Sequence, residues 1–397
     1  MLTTSYKSLL IHHLKICKLL QCTWARWDAN LGQIVPRNGS KLGLLYQKFQ
    51  LMAGLLYSMG ITLKISKGKD SIAEKAQGLV FLMLFFITLL ARWYWPRLGV
   101  LNEPCRMLNA CLRFEKVLIK EHPGRHPSLL DKLMVAFLQL LETTAILIPT
   151  IVIAIQLHNP CALPFLGSLS HYCSKGIWTA PPDWVHVFML TTDFWIWLHF
   201  IYDGSFYIIY AFMVGIVCMV DYLEYFEKMA LEIQNSGSSR ASLEEHLDKV
   251  LHTYKCLRLL EKTINHAMKG QLVPAMIGVC PQIQVFSMFV CIKLYSKIPM
   301  PGFLIFPLVM FDSSVNNLVI ETLAAKVNTN SVKFLSDLNR GLKSFPNKSS
   351  HRKEMRACTA AKIQFGQNFV DKGTPLVIEN FCFNQTVSLL LLNSRNN

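Results

Sequence analysis

The sequence predicts an all-α, polytopic membrane protein. It has seven transmembrane helices, the N-terminus inside, the C-terminus outside, and long helical extensions on the cytoplasmic side. Three observations predict this. Hydrophobic residues make up 52% of the 397 and charged residues only 16%, where a soluble domain carries roughly 25% charged. Apolar runs recur along the chain at about 20 residues, the length that crosses a hydrocarbon core of ~30 Å. Lysine and arginine gather in alternate connecting segments. The same composition excludes intrinsic disorder, a collagen-like repeat and a disulfide framework, because the chain is too apolar, its 20 glycines have no period and its 12 cysteines are dilute.

The apolar runs fall at 43–63, 76–95, 133–156, 194–220, 272–295, 302–322 and 376–392. Residues 185–220 could be cut at Asp203-Gly204, but two spans would leave no room for a turn, so one long protruding helix is expected. The last run is short for a crossing. It follows Gly373-Thr374-Pro375, which should break a helix arriving from 357–371. The seventh helix is therefore expected to be broken, with a re-entrant or peripheral first half. Residues 1–22 scatter Lys and His through an interrupted apolar stretch with no clear small-residue cleavage site. They read as an amphipathic surface helix rather than a cleavable leader.

Orientation follows from charge. With the N-terminus inside, the inside segments 1–42, 96–132, 221–270 and 323–365 hold 29 Lys/Arg, and the outside segments hold 8. The outer loop 157–193 is long and carries only Lys175. This bias explains the net charge of +15 without nucleic acid, and no basic segment carries a nucleic-acid-binding motif. The sequons at Asn38 and Asn347 would lie inside, and that at Asn384 within the last span. Ten of the twelve cysteines lie in spans or inside segments. Only Cys161 and Cys173 share an outer loop, where a disulfide would close a small ring; spacing alone leaves the pairing open. No CxxC or zinc-type Cys/His spacing occurs, and no cofactor is expected.

Residues 221–270 lack proline. Their apolar positions repeat with helical period at Leu223, Phe226, Met229 and Ile233, then at Leu247, Val250, Leu251, Tyr254 and Leu257. The turn at 235–242 ends on Ser242, with Glu245 three residues on in capping-box spacing. Residues 323–343 look similar. Such stripes need cover, either as an intracellular bundle within one chain or as an oligomerisation platform.

Ionisable residues inside a membrane are costly and face protein or water. Glu142 and Asp203 are the stronger functional candidates, lining a ligand cavity or a proton path. Asp312, with Ser313, Ser314, Asn316 and Asn317, gives the sixth span a polar face expected to pack on neighbouring helices. Glu321 is expected to snorkel, and Glu379 lies in the last span. Aromatic residues crowd the outer halves: Phe81 and Phe85, Trp195, Trp197, Phe200 and Tyr202, Phe286 and Phe289. They read either as interface anchors or as the wall of a small-molecule pocket.

The chain ends on Thr386-Val387-Ser388-Leu389-Leu390-Leu391-Leu392-Asn393-Ser394. This resembles the terminal motif of the insect gustatory and odorant receptor superfamily, a Thr-Tyr pair, five apolar residues, then Gln and an apolar or aromatic residue. Thr386 and its spacing to Asn393 match, while Val387, Asn393 and Ser394 replace the Tyr, Gln and final apolar residue. Chain length, seven spans, orientation, long cytoplasmic helices and a broken last helix also look like this family. The resemblance implies a ligand-gated, non-selective cation channel subunit in the plasma membrane. Four copies, or an assembly with a co-receptor subunit, would meet through cytoplasmic anchor helices. It implies a gate at Leu390 with Asn393 and Ser394 lining the pore, and a tastant or odorant pocket drawn from Phe81, Phe85, Ile148, Trp195, Tyr202 and Phe286. Residues 1–42 would be a cytoplasmic segment and 43–322 would hold six spans. The anchor and first half of helix seven would occupy 323–371, and the pore-lining half 372–397.

Rival readings fit less well. A G-protein-coupled receptor has an outside N-terminus, and neither a DRY-type triplet nor NPxxY is present. A secondary transporter would use Glu142 and Asp203, but no two-half hydropathy repeat is visible. No HExxH or nucleophile elbow points to an enzyme.

Overall fold

The computed structural model describes residues 6–37, 41–68, 71–92, 101–121, 129–174, 177–179, 182–235, 240–298, 300, 302–343 and 349–395. Among these, six helices are long and apolar enough to cross a membrane, at Ile72–Arg92, Lys132–His158, Asp183–Leu231, Leu272–Lys293, Gly302–Arg340 and Thr374–Leu392.

The chain begins with α1 (Lys7–Leu20) and an antiparallel hairpin, β1 (Ala25–Asp28) and β2 (Gln33–Pro36). Then comes α2 (Lys41–Lys67), which covers the first expected span but is less apolar than the six. Its pattern is inverted. Gln47, Gln50 and Tyr57 are buried against protein, while Leu45, Phe49, Met52, Leu56, Met59 and Leu63 are exposed at alternating four- and three-residue spacing. At 1.5 Å per residue, 27 residues reach ~40 Å. A polar inward face and an apolar outward stripe suit a helix whose outer solvent is lipid.

Next are α3 (Ile72–Arg92), the amphipathic α4 (Glu103–Glu121) and α5 (Leu129–His158). The connection to the fourth span holds a short α6 (Leu166–Leu169) and a hairpin, β3 (Cys173–Ser174) and β4 (Ile177–Trp178). Cys161 and Cys173 are disulfide-bonded there, Cα atoms 5.5 Å apart.

The fourth span is one helix from α7 (Asp183–Ser205) through a π-helical segment, Phe206–Met213, into α8 (Val214–Asn235). Asp203-Gly204 does not interrupt it. Gly204 is there for close approach: a Cβ would sit 2.6 Å from Thr88 Cγ2 on α3.

Helix α9 (Arg240–Met268) begins two residues before Ser242, which therefore lies inside the helix rather than capping it. The expected stripes are buried within the chain, at Leu223, Phe226, Met229, Leu247, Val250, Leu251, Tyr254 and Leu257; the side chain of Ile233 lies outside the described residues. The rings of Phe226, Tyr254 and Phe334 meet at 5.0–5.8 Å. The stripes thus close an intrachain bundle of α8, α9 and α12.

Helix α10 (Leu272–Lys293) and α11 (Ile305–Val315) form a hairpin. A second π-helical segment, Asn316–Ile320, joins α11 to α12 (Glu321–Lys343), followed by α13 (Ser349–Ala357). The sequence leads one to expect a helix over 357–371. That segment is instead extended, with a hairpin β5 (Gln364–Phe365) and β6 (Asn368–Phe369). Side chains of the bundle supply the hydrogen bonds a helix would have made. Ser331 Oγ accepts from Ala361 N at 2.7 Å, Asn265 Oδ1 accepts from Gln364 N at 2.9 Å, and Asn265 Nδ2 donates to Lys362 O at 2.8 Å. Burial pushes the Glu261 carboxyl up, opposed by Arg258 beside it.

The last helix, α14 (Thr374–Arg395), is unbroken. Asp371 Oδ1 accepts from Gly373 N, Thr374 N and Thr374 Oγ1 just before it. These bonds, the Thr374 hydroxyl first, hold the Asp371 carboxyl below its usual range. Asn38 and Asn347 lie outside the described residues; Asn384 is exposed on α14.

The α2–α7 contact gives a direct test. A Cβ at Gly54 would lie 1.8 Å from Phe200 Cζ, and that ring is wedged among Phe85 and His199. Gly54→Ala should cost about 1–3 kcal/mol through overpacking. A drop in the melting temperature of the purified protein in detergent is the readout; an unchanged Tm would show that Phe200 can move freely.

Candidate functional site

A cavity of about 140 Å³ opens in the middle of the membrane bundle. Residues of α3, α5, α7, both π-helical segments, α10 and α11 line it. The π-helical turn contributes Ile208, Ile209 and Met213. An extra residue in the turn rotates the following side chains, and here three apolar groups of the fourth span face the cavity. The wall is chiefly aliphatic. Asp312, Ser313 and Asn316 lie together on the α11 side, with Thr88, Thr144, Ser205 and Cys280 elsewhere.

Of the six expected pocket residues, Ile148 reaches this wall. Phe81 and Phe85 pack edge-on against Trp197, with centroids 5.2 and 4.4 Å away, in a filled aromatic core that includes Tyr57, Phe165 and Phe200. Trp195 faces α2 and donates its indole N–H to Tyr46 Oη at 3.1 Å. Tyr202 faces α1, its ring 5.4 Å from His13. Phe286 is half-buried against the membrane core.

Neither Glu142 nor Asp203 lines the cavity; both are engaged elsewhere. Glu142 Oε1 lies 2.6 Å from His13 Nδ1 and accepts from Tyr210 Oη at 2.6 Å, while His13 Nε2 lies 2.9 Å from the Tyr202 carbonyl. Asp203 is fully enclosed by an ion pair to Arg92 Nε at 2.8 Å and the Thr23 hydroxyl at 2.6 Å. Arg92 also donates to Gln50 Oε1 and lies over the Phe200 ring. These two clusters staple α1 and the β1–β2 segment to the bundle. Asp193, which sequence reasoning passed over, is a third staple. It accepts from Tyr57 Oη, Gln156 Nε2 and the Leu166 amide, tying α2, α5 and the α5–α7 connection to α7.

From the cavity wall a chain of amides leads to α14. Asn316 Nδ2 donates to Asn317 Oδ1 at 3.3 Å, Asn317 Nδ2 to Gln284 Oε1 at 2.6 Å, and Gln284 Nε2 to Glu379 Oε2 at 3.1 Å. Only 22% of the most apolar stretch of α14 is buried, against 94% of the corresponding stretch of the fourth span. Thr386 and Cys382 face the bundle, whereas Asn380, Asn384 and Ser388 form an exposed polar stripe. Leu390 is half-buried and packs with Leu389 on the membrane core. At 3.6 residues per turn it sits roughly a third of a turn from the stripe. The side chains of Asn393 and Ser394 lie outside the described residues.

No protein-family model matches the sequence, and no curated protein matches it. Solved structures do. The insect olfactory receptor OR5 from Machilis hrabei in complex with eugenol superposes with a TM-score of 0.56 at 10% identity, covering 97% of this chain and 98% of that one. A second structure of the same receptor gives 0.53 at 10% identity, covering 98% of both chains. The chain thus has the fold of an insect olfactory receptor, an all-α polytopic membrane bundle.

The buried ion pair carries a prediction. Arg92→Met would leave Asp203 charged and enclosed, costing about 3–5 kcal/mol, and Arg92→Met with Asp203→Leu should recover most of it. Thermal melts of the three proteins in one detergent decide this. Equal melting temperatures for the single and double variants would mean that the pair is not what holds α3 to α7.

Proposed function

We propose that the chain is a subunit of a chemosensory, ligand-gated cation channel in the plasma membrane. A small molecule in the central cavity would open a pore shared by four copies, or by copies with a co-receptor subunit. The observation that carries this is α14. It is apolar enough to span a membrane, yet mostly uncovered, and it exposes three amide and hydroxyl side chains in one row. Exposed polar groups at membrane depth need water or protein, and a ring of such helices around an axis supplies both. The fold shared with an insect olfactory receptor supports the reading.

In this reading the pore runs along the Asn380–Asn384–Ser388 stripe and narrows near the helix end at Leu390, Asn393 and Ser394. A ring of leucines closes such a pore by dewetting. The cavity takes the ligand, and the amides from Asn316 to Glu379 link its wall to α14. A ligand opens the channel only by the difference in its affinity for the two states. The element to be biased is therefore the α10–α11 hairpin that both sites touch.

Whole-cell recording from cells expressing the chain, challenged with small volatiles and tastants, should give a ligand-evoked cation current. Ile148→Trp, which fills the cavity, should abolish the response with surface expression intact, and Leu390→Ala should raise the resting current. A response that needs G-protein signalling and carries no current of its own would overturn the reading. If the amide chain couples the sites, Gln284→Leu should reduce maximal current more than it weakens ligand binding; equal losses in both would place Gln284 in binding instead.

A further inference from the structure

The cavity is not evenly polar. Its hydroxyl donors are mostly committed to their own helices. Thr88 Oγ1 donates to Leu84 O and Phe85 O, Thr144 Oγ1 to Leu140 O, and Ser313 Oγ to Val309 O and Met310 O. One of the two Asn316 amide N–H groups is bonded to Asn317. Acceptors remain. Asp312 Oδ1 and Asn316 Oδ1 are buried and have no hydrogen-bond partner among the described residues. The two residues are four apart on one helix, so they stand one turn above each other on the same wall. No Lys, Arg or His among the described residues borders the cavity. The remaining polar groups are the Ser205 hydroxyl, which gives as readily as it takes, and the weak Cys280 thiol.

We infer that this cavity selects small monoamines, the protonated nitrogen seated against Asp312 and Asn316 and the hydrocarbon body against the aliphatic wall. The inference rests on the cavity being the ligand site proposed above. A carboxylate held away from water without a counter-charge is costly. An ammonium group supplies both the charge and several N–H donors; a neutral alcohol supplies one donor and no charge; a carboxylic acid brings a second negative charge. Size adds a limit. A cavity of about 140 Å³ is close to one of ~150 Å³ known to hold benzene, so a single ring or a short branched chain fills it. Ile148, Leu141, Ile87 and Met213 supply the apolar contact.

The test uses three ligands of one shape, benzylamine, benzyl alcohol and toluene, against the purified full-length protein. Binding is read as ligand-dependent thermal stabilisation, separately from current in cells. Benzylamine should bind about tenfold or more tightly than benzyl alcohol, as expected when a charge-assisted bond replaces a neutral one. Asp312→Asn, which keeps the shape, should bring benzylamine down to the level of the alcohol and leave the alcohol unchanged. Ser314→Ala, outside the cavity wall and with its hydroxyl bonded to Met310 O, should preserve the preference. Equal binding of amine and alcohol to the wild type overturns the inference, whether or not the variants fold. So does an Asp312→Asn protein that weakens both ligands alike, or binding of none of the three. Amine binding without current would sink the channel reading and keep this one. Current evoked by the alcohol or toluene but not the amine would do the reverse.

Discussion

The bundle is arranged around a helix whose middle has almost no face left for solvent of any kind. The fourth span runs unbroken for 49 residues, and every residue from Ile209 to Leu223 is buried. A helix that is apolar all round must be enclosed, and this one meets α1, α2, α3 and α5 along its first half and α4, α9 and α12 along its second. Its length obliges the neighbours to be long as well. The sixth span therefore continues for 39 residues from Gly302 into α12, which packs on α8. The enclosed helix cannot tilt or slide without repacking all of them. Movement is easier at the edge of the bundle, above all at the barely covered α14.

Enclosure also explains where the charges are. Burying an ion is costly unless a partner comes with it, and three carboxylates on or facing the fourth span have partners from a different element. Asp203 takes Arg92 from α3 and Thr23 from the N-terminal segment; Asp193 takes Tyr57 and Gln156; Glu142 takes His13 and Tyr210. Each bond has a fixed geometry, so these pairs set the register of the helices more sharply than aliphatic contacts would. Their function is positional, and no substrate or proton path is needed to account for them.

Much of this architecture was legible in the sequence because it depends on local pattern. Apolar run length marked the spans, the lack of room for a turn at Asp203-Gly204 marked the long fourth helix, and 3.6-residue periodicity marked the stripes at Leu223–Met229 and Leu247–Leu257. What depends on pairing across the fold was not legible. Thr23 and Asp203 are 180 positions apart, and no local feature joins them. The stretch at 357–371 has helix-compatible composition, but Ser331, Asn265 and Glu261 compete for its backbone and win. The aromatic residues were visible but their role was not: rings good enough to wall a pocket were good enough to pack on one another, and Phe81, Phe85 and Trp197 fill the space they could have bounded. Asp312 shows the opposite error. Set among Ser313, Ser314, Asn316 and Asn317, it read as one more member of a packed polar face, yet it borders the cavity with an oxygen left over.

The sixth span is where these threads meet. Its two faces serve different neighbours because a π-helical segment at Asn316–Ile320 resets the phase of the helix. On one side of that reset, Asp312 and Asn316 border the cavity; on the other, Asn317 reaches Gln284 and through it Glu379 on α14. Asn316 belongs to both groups. Its oxygen lacks a hydrogen-bond partner among the described residues, while its nitrogen is bonded to Asn317. A ligand that engages the oxygen draws on the same amide plane that orients the nitrogen, so occupancy and the α14 contact cannot be fully independent. An apolar wall could bind a ligand as tightly, but it would have no directional link to pass on. The polar residues of the sixth span, expensive to bury and unnecessary for packing alone, are intelligible as the cost of that connection.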